Sequence, residues 1–276
     1  MKGALFETLR APAPIVDIGL NLTHRDFQGD LVGVLQRAAE ANVVAIVGTG
    51  TNAKSSRKMA TAVKKSLHGT DQVLYRTVGV HPHDAKTFFE EEIAKLAAEE
   101  GVLAVGECGL DYDRMFSEAK VQREAFVAQL RIAVKLNLPV FLHQRLGFDD
   151  FNAIMDAEWP AERARRAVVH CFTGDYKELS HYVKKGYMVG ITGFVCKKNR
   201  SQDLRHALSS GVLPLTQLMI ETDGPFMSPF GKIRRCEPAM LPHIARELAI
   251  LMNVDFEELC IQTTKNFREW GGLINQ

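Results

Sequence analysis

Eight short apolar runs, rich in β-branched residues, recur along the chain with helix-like segments between them. Continuous apolar runs of this length are typical of parallel strands, which are buried on both faces. The helical pattern is clearest at residues 30–41 and 120–136, where apolar side chains repeat every three or four positions. We predict strands at residues 15–18, 43–48, 75–80, 102–107, 140–143, 168–170, 187–191 and 218–221.

This alternation predicts an α/β fold, a single (β/α)8 TIM barrel. The alternative is an open doubly wound sheet, which the number of repeats disfavours. Polar residues spread over several strand ends also disfavour it, because an open sheet concentrates its site at one crevice. A chain of 276 residues is normal for one barrel. We expect one domain over residues 14–276, preceded by a short extension at 1–13.

Charged or imidazole side chains lie where four of these apolar runs end. Glu107, His143 and His170 close the fourth, fifth and sixth predicted strands, and Asp223 follows the eighth. In a barrel these ends meet at one face, with neighbouring strands about 4.8 Å apart. Such groups are costly beside buried apolar runs unless something pairs with them. Two imidazoles and two carboxylates suit a divalent metal, so we predict that these four residues bind one.

Each of these residues also has a plainer interpretation. Glu107 could pair with Arg114 or Arg145, and a histidine at a strand end is often a hydrogen-bonded core residue. The shared position of all four residues favours the metal. Histidines suit Zn²⁺ or Mn²⁺, whereas carboxylates together with phosphate oxygens suit Mg²⁺.

Further polar residues at the same face are candidates for binding an anionic substrate. His81 follows the third strand, and Arg145 lies two residues after His143, so both could hold a phosphate oxygen. Alternatively, His81 could flank the start of a helix at Pro82. We expect His83 at the rim of the site, as a cap or a substrate contact.

Two basic clusters and one glycine turn lie in loops after predicted strands. A phosphate-bearing substrate would explain both clusters, although a solvated charge run is the usual explanation for either alone. The turn at residues 47–51 could offer backbone amides to a phosphate, but it lacks the lysine of a P-loop. The clusters are Lys197, Lys198 and Arg200, and Lys232, Arg234 and Arg235, the second within a long loop at 225–238.

The overall charge and the cysteines limit the class of protein. A formal net charge of +1 and a pI of about 7.7 exclude a strongly basic protein that coats nucleic acid. Five cysteines without a Cys-x-x-Cys pair indicate reduced thiols in an intracellular protein. No apolar run is long enough to span a membrane and no signal peptide is evident. We expect a cytoplasmic monomer, or a nuclear one if the source is eukaryotic.

Seven motifs resemble the TatD family of metal-dependent deoxyribonucleases, and the similarity covers nearly the whole chain. The motifs are DIGLNLT at 17–23, GVHPH at 79–83, GECGLDY at 106–112, HCFTG at 170–174, ITGFVC at 191–196, ETDGP at 221–225 and RCEP at 235–238. The resemblance implies an amidohydrolase-like TIM barrel, a Mg²⁺-type requirement and 3′-to-5′ exonuclease action on DNA.

The same resemblance implies roles for four residues. Glu107 is similar in position to a shared or bridging metal ligand, and His143 and His170 to ligands of one ion. Asp223 resembles the carboxylate that binds metal or the attacking water. We therefore expect one or two divalent ions per chain, Mg²⁺ first, with Mn²⁺ or Zn²⁺ as alternatives.

Two departures from the family pattern affect the expected site. Many relatives carry a His-x-His pair at the end of the first strand, where this chain has Gly19 and Asn21. A single ion, or a weakly held second ion recruited with substrate, is therefore expected. The second departure is the run HQRLG at 143–147, where many relatives have Cys and Asp after the His and Arg, which would alter substrate contacts.

Phosphodiester hydrolysis by a metal-activated water is the expected reaction. The expected catalytic residues are Asp223, Glu107 and His81. Two other functions stay open: hydrolysis of a smaller ester or amide or of aminoacyl-tRNA, and binding by a barrel that has lost turnover. RNA is an alternative substrate to DNA. The expected substrate contacts are His81, His83, Arg145, Asn21 and Arg235.

Overall fold

The computed structural model describes residues 6–66 and 72–273. Eight parallel strands form one sheet, in which each strand lies beside the next one along the chain. The strands are β1 (Ile15–Leu20), β2 (Val43–Gly48), β3 (Val73–Val78), β4 (Val102–Asp111), β5 (Val140–Arg145), β6 (Ala167–Val169), β7 (Met188–Ile191) and β8 (Leu218–Ile220). The α-helices of the described residues are α1 (Leu31–Glu40), α2 (Ala53–Ser66), α3 (Glu90–Ala97), α4 (Ala119–Lys135), α5 (Phe148–Glu158), α6 (Tyr176–Lys185), α7 (Gln202–Ser209), α8 (Leu241–Met252) and α9 (Phe256–Gly271).

This arrangement confirms the predicted (β/α)8 barrel and both of the clearest predicted helices, which form α1 and α4. The largest difference is in β4, which continues four residues beyond its expected end at Glu107 and reaches Asp111. In contrast, β6 and β8 stop one residue before the predicted ends. Glu107 therefore lies inside a strand, whereas His170 and Asp223 lie just beyond theirs.

Local sequence signals define the ends of the helices that surround the barrel. Asp175 begins α6 by accepting a hydrogen bond from the amide of Glu178 at 3.0 Å, as helix-capping aspartates do. Gly186 ends the same helix in the left-handed conformation, at φ 79°, which glycine adopts without a steric penalty. Asp255 begins α9 in the same way as Asp175 begins α6.

The barrel interior is a packed apolar core rather than a pore. Inward-facing strand residues such as Val16, Val47 and Met188 form one buried cluster, as expected for layered barrel interiors. Trp270 of α9 joins this cluster, and its indole nitrogen donates to the carbonyl of Val140 at 3.3 Å. Because Val140 begins β5, α9 covers the N-terminal end of the barrel and leaves the C-terminal mouth for polar residues.

The barrel closes between β1 and the segment that follows β8. Leu20 and Gly224 form a single parallel bridge, and the Asp223 amide donates to the carbonyl of Gly19 at 2.8 Å. Below them, the buried Asp17 carboxylate accepts from the amide of Thr222 at 2.9 Å and from its hydroxyl. Closure of this kind brings the end of β1 and Asp223 to the same part of the mouth.

The described part of the N-terminal extension packs against the barrel. The ring of Phe6 stacks on Phe230 with centroids 5.6 Å apart, and the Ala11 amide donates to the carbonyl of Ala41 at 3.1 Å. The boundary between residues 13 and 14 stays a prediction. Within the described ranges, each helix is too short or too polar to cross a membrane.

Candidate active site

A cavity of about 690 Å³ opens at the C-terminal mouth of the barrel. Its volume is within the range of small-molecule pockets. All predicted site residues except Arg235 line it: Asn21, His81, His83, Glu107, His143, Arg145, His170 and Asp223. The barrel thus brings together side chains from the C-terminal halves of β4 and β5 and from the segments that follow β1, β3, β6 and β8, at the one mouth that the sequence pattern predicted.

Glu107 is the centre of this group. One of its carboxylate oxygens, Oε1, lies 3.2 Å from Nε2 of His81, 3.1 Å from Nδ1 of His143 and 2.8 Å from Nε2 of His170. Burial alone would raise the pKa of Glu107, but the neighbouring imidazoles outweigh it and hold the pKa well below its usual range. The carboxylate is therefore charged and surrounded by nitrogen donors.

His81, Glu107 and His143 form a candidate metal site. Each offers one ligand atom, and these atoms all lie within 4.8 Å of one another. A buried carboxylate oxygen with imidazole nitrogens around it is a donor set that fits a divalent metal. His81 was expected to hold substrate rather than metal, so the structure adds it to the candidate ligands. His170 contacts the same oxygen of Glu107.

His81 owes its orientation to the short 3-10 helix at Pro82–Thr87. Its Nδ1 accepts a hydrogen bond from the amide of His83 at 3.0 Å and caps this helix. Since Nδ1 is occupied, Nε2 is the nitrogen that faces Glu107. Burial lowers the pKa of His81, which favours the neutral ring that a metal requires. In a neutral ring whose Nδ1 accepts this hydrogen bond the proton is on Nε2, so His81 donates to Glu107. Metal binding through Nε2 requires the proton to move to Nδ1 and the hydrogen bond from the His83 amide to be given up.

Asp111, which was not predicted from the sequence, contacts the other side of the His143 ring. Its Oδ2 lies 2.9 Å from Nε2 of His83 and 3.2 Å from Nε2 of His143. Its Oδ1 accepts from the amide of Arg114 at 3.0 Å. The ring of His143 is consequently fixed between two carboxylates, Glu107 and Asp111. Asp111 belongs to the GECGLDY motif, and this motif is the one feature of the sequence that could have identified it as a site residue.

Glu221 is a second residue of this site that was not predicted from the sequence. It is fully buried, its Oε2 lies 3.3 Å from Nδ1 of His170, and its Oε1 accepts from the amide of Cys171. A carboxylate behind a metal-binding histidine orients the ring and makes it more basic. Although burial lowers the pKa of His170, the charges of Glu107 and Glu221 outweigh this effect and raise the pKa well above its usual value.

Gly19 leaves the space that Glu221 occupies. A Cβ atom at position 19 would lie only 2.2 Å from Oε2 of Glu221. A histidine ligand at this position is therefore incompatible with the observed carboxylate. Asn21 lies at the mouth, where its side-chain amide donates to Oδ1 of Asp223 at 3.0 Å. The two positions that depart from the His-x-His pattern thus support Glu221 and Asp223.

We expect Gly19→Ala to damage both stability and activity. The added methyl group must displace the Glu221 carboxylate from His170, since 2.2 Å is far inside contact distance. Overpacking of this kind costs about 1–3 kcal/mol of unfolding free energy. Loss of a group that orients a ligand lowers metal affinity or activity roughly 10- to 100-fold. Urea denaturation and cleavage rates measure the two effects.

Gly231→Ala is the matched control, because a Cβ there meets no atom of residues 6–66 or 72–273 within 4 Å. It should leave both quantities near those of the wild type. Equal stability and activity of Gly19→Ala and Gly231→Ala would contradict the assigned role of Gly19.

Asp223 lies on the β8 side of the mouth, outside the compact triad of His81, Glu107 and His143. Its backbone has a φ of 49°, an uncommon conformation for a residue with a side chain. Burial raises the pKa of Asp223 to about 8.

The two predicted arginine contacts differ in their surroundings. Arg145 lines the cavity and pairs with Asp113 at 2.8 Å, and both side chains are partly exposed. Arg235 lies outside the cavity lining, because its guanidinium is bound to Asp30 at 2.9 Å and to Glu237 at 3.1 Å. A contact between Arg235 and substrate stays a prediction.

The glycine turn at residues 47–51 does not have the role expected for it. The amides of Thr49, Gly50 and Thr51 are all bound within the protein, to Leu20 O, Thr77 Oγ1 and Ser55 Oγ respectively. They are therefore not free to hold a phosphate. Five further basic side chains do not line the cavity: Lys197, Lys198, Arg200, Lys232 and Arg234.

The long loop after β8 is anchored to α1 through Arg37. The guanidinium donates to both carboxylate oxygens of Glu237, at 2.6 and 2.9 Å, and to Asp30 at 3.0 Å. The Glu237 side chain is only 4% exposed. Removing one partner of a buried pair leaves an uncompensated charge.

Arg37→Ala should therefore destabilise the fold. Removal of one partner from a buried ion pair costs about 3–5 kcal/mol, and we expect the lower end because Arg235 still contacts Glu237. Urea denaturation measures the change. Arg131→Ala is the control, because its paired contact with Glu158 lies at the surface and should contribute far less. Similar losses for the two variants would contradict the anchoring role.

A family model described as TatD related DNase matches residues 16–271. The chain belongs to the TatD family. This finding confirms the resemblance inferred from the motifs. A relative from Erwinia amylovora, named 3′-5′ ssDNA/RNA exonuclease TatD, is 40% identical over 265 residues, which are 93% of this chain and 99% of the relative. The protein of the same name from Escherichia coli K12 is 39% identical over 93% of this chain and 98% of its own.

Solved structures of TatD proteins share the fold. The hydrolase TatD family protein from Entamoeba histolytica has a TM-score of 0.85 at 24% identity, covering 96% of this chain and 99% of its own. YjjV, a TatD homologue from Escherichia coli, has a TM-score of 0.81 at 26% identity, covering 93% of this chain and 97% of its own. The barrel is thus the one seen in other TatD family structures.

Proposed function

We propose that this TatD protein is a metal-dependent exonuclease that hydrolyses phosphodiester bonds at the 3′ end of single-stranded DNA, with RNA as a second substrate. The observation that carries the proposal is the Glu107 carboxylate, whose Oε1 lies 2.8–3.2 Å from three imidazole nitrogens inside the mouth cavity. Relatives with the name 3′-5′ ssDNA/RNA exonuclease match 93% of the chain at about 40% identity and support the substrate class.

The proposed metal ligands are Glu107, His81, His143 and His170. A divalent ion, when bound, supplies Lewis acidity to a phosphate oxygen and lowers the pKa of a coordinated water. We propose Mg²⁺ as the ion, with Mn²⁺ as a substitute, because both ions prefer oxygen ligands such as the Glu107 carboxylate and the phosphate oxygens of a nucleic-acid substrate. Glu107 provides the negative charge of the site, and Asp111 and Glu221 fix the rings of His143 and His170.

The residues beyond these ligands bind and orient the reactants. Asp223 holds the attacking water and accepts its proton, and Asn21 keeps the carboxylate in place through its 3.0 Å hydrogen bond. Arg145 and His83, both in the cavity wall, bind the phosphate and stabilise the charge that grows on it. One chain supplies the whole set, so we propose that a monomer is sufficient. Cytoplasmic location stays a prediction.

The shape of the site favours an exonuclease over a protein that binds along a duplex. The polar groups lie inside a cavity of about 690 Å³ rather than on an extended basic surface. Such a cavity has room for the end of one strand. The near-neutral net charge of +1 agrees with local recognition of a few phosphates.

Cleavage of a 5′-labelled single-stranded oligonucleotide by the purified chain tests the proposal, with Mg²⁺, Mn²⁺ or EDTA added. We expect a ladder that shortens from the 3′ end with either ion and none with EDTA. The Glu107→Gln protein, purified in parallel, excludes a contaminating nuclease. If folded protein releases no nucleotide from DNA or RNA but hydrolyses a small ester, an amide or aminoacyl-tRNA, the proposal is wrong.

A further inference from the structure

Two phenylalanine side chains line the mouth cavity with about half of their surface exposed. Phe116 is 57% exposed and Phe226 is 50% exposed. Phe116 belongs to the loop between β4 and α4, and Phe226 to the loop after β8. In an eight-stranded barrel in sequential order, β4 and β8 lie opposite each other. The two rings therefore stand on opposite sides of the cavity.

Each phenyl ring packs edge to face with one histidine. The Phe116 and His83 rings have centroids 4.9 Å apart with an interplanar angle of 87°, and the Phe226 and His24 rings are 5.4 Å apart at 74°. A contact of this kind fixes the orientation of the phenyl ring but leaves much of its surface open. Exposed aromatic surface at a polar cavity is characteristic of a binding site.

The groups beside these rings define what would bind there. Arg114, two residues before Phe116, lines the same cavity, and Arg145 lines it as well. Aromatic rings combined with cationic side chains are the means by which proteins hold single-stranded nucleic acid, with bases on the rings and phosphates on the cations. Stacking of this kind tolerates any base sequence, because every base has a π-face. A paired base inside a duplex has no free face to offer.

We infer that Phe116 and Phe226 form a base-stacking pair that binds unpaired nucleobases next to the phosphate being hydrolysed. The pair makes an unpaired 3′ end the preferred substrate and recognises bases without reading their sequence. This inference rests on the proposed nuclease function and names the residues that select its substrate. Neither residue touches the reacting atoms, so their contribution is to affinity.

The first experiment compares Phe116→Ala and Phe226→Ala with wild type on a single-stranded oligonucleotide. Base stacking on an aromatic side chain contributes about 1–3 kcal/mol, so KM should rise roughly fivefold to 150-fold for each variant while kcat changes little. Phe116→Trp and Phe226→Trp, which keep a π-face, should retain most of the affinity. Phe89→Ala is the matched control, because Phe89 is 58% exposed but lies outside the cavity lining.

The second experiment removes the bases instead of the rings. An oligonucleotide with abasic 3′-terminal nucleotides keeps every phosphate, and we expect wild type to bind it more weakly than the intact strand. The double variant with alanine in place of Phe116 and Phe226 should bind the two strands equally. If the alanine variants bind the intact strand as tightly as wild type and still discriminate against the abasic one, the inference is overturned. Failure of the nuclease proposal is distinct, since wild type would then cleave neither strand.

Discussion

Replacing Glu107 by glutamine should lower the rate of single-strand cleavage roughly 10²- to 10³-fold, the range seen when one preorganised charged or polar group is removed from an active site. Glutamine has nearly the same shape, so the fold should persist. It removes the negative charge that faces His81, His143 and His170 at 2.8–3.2 Å. The affinity for Mn²⁺, measured by calorimetry on the folded variant, should fall with the rate.

Asp84→Asn is the matched control for this substitution. Asp84 also lines the cavity, but its carboxylate accepts from the side chain of Asn52 at 2.7 Å and has no assigned role in binding metal. Its replacement should leave both cleavage and Mn²⁺ affinity near wild type. A Glu107→Gln protein that binds Mn²⁺ and cleaves DNA normally would remove the basis of the proposed mechanism.

The barrel was predictable because its determinants are local in sequence. Each strand is a short apolar run, and the side chains that interrupt these runs, such as His143, mark the mouth. The position of β4 was harder to predict, because a charged residue normally ends an apolar run and Glu107 does not. Gly106 and Gly109 have φ values of 143° and 141°, and a Cβ on either would collide with backbone oxygens of β5. These glycines let β4 approach β5 closely and continue to Asp111.

The features of the site that could not be predicted from the sequence depend on contacts between segments that are far apart along the chain. In the sequence, Glu221 appeared only as the last residue of a predicted strand. Its contact with His170 requires the space left by the missing side chain of Gly19, about 200 positions away along the chain. Arg235 appeared to be part of a basic cluster, because its acidic partners Asp30 and Glu237 become apparent only when α1 and the loop after β8 pack together. Charge clustering along the chain does not reveal which charges are already neutralised.

Asp223→Asn should separate the handling of water from the binding of metal. The amide oxygen of asparagine can still accept the 3.0 Å hydrogen bond that Asn21 donates to Oδ1, so the local structure should persist. What is lost is a carboxylate that accepts a proton, and removal of a general base lowers kcat about 10²- to 10⁴-fold. Because Asp223 is not among the proposed ligands Glu107, His81, His143 and His170, Mn²⁺ affinity should fall much less than in Glu107→Gln.

Asn21→Ala extends the same argument, since it removes the hydrogen bond that orients Asp223 but leaves the carboxylate. We expect a fall in kcat that is smaller than that of Asp223→Asn, with little change in KM or in Mn²⁺ affinity. Steady-state kinetics on a single-stranded oligonucleotide, together with Mn²⁺ titration of each variant, measure these quantities. If Mn²⁺ affinity in Asp223→Asn falls as far as in Glu107→Gln, Asp223 is a metal ligand. If kcat is unchanged in Asp223→Asn, the attacking water is held by another group at the mouth.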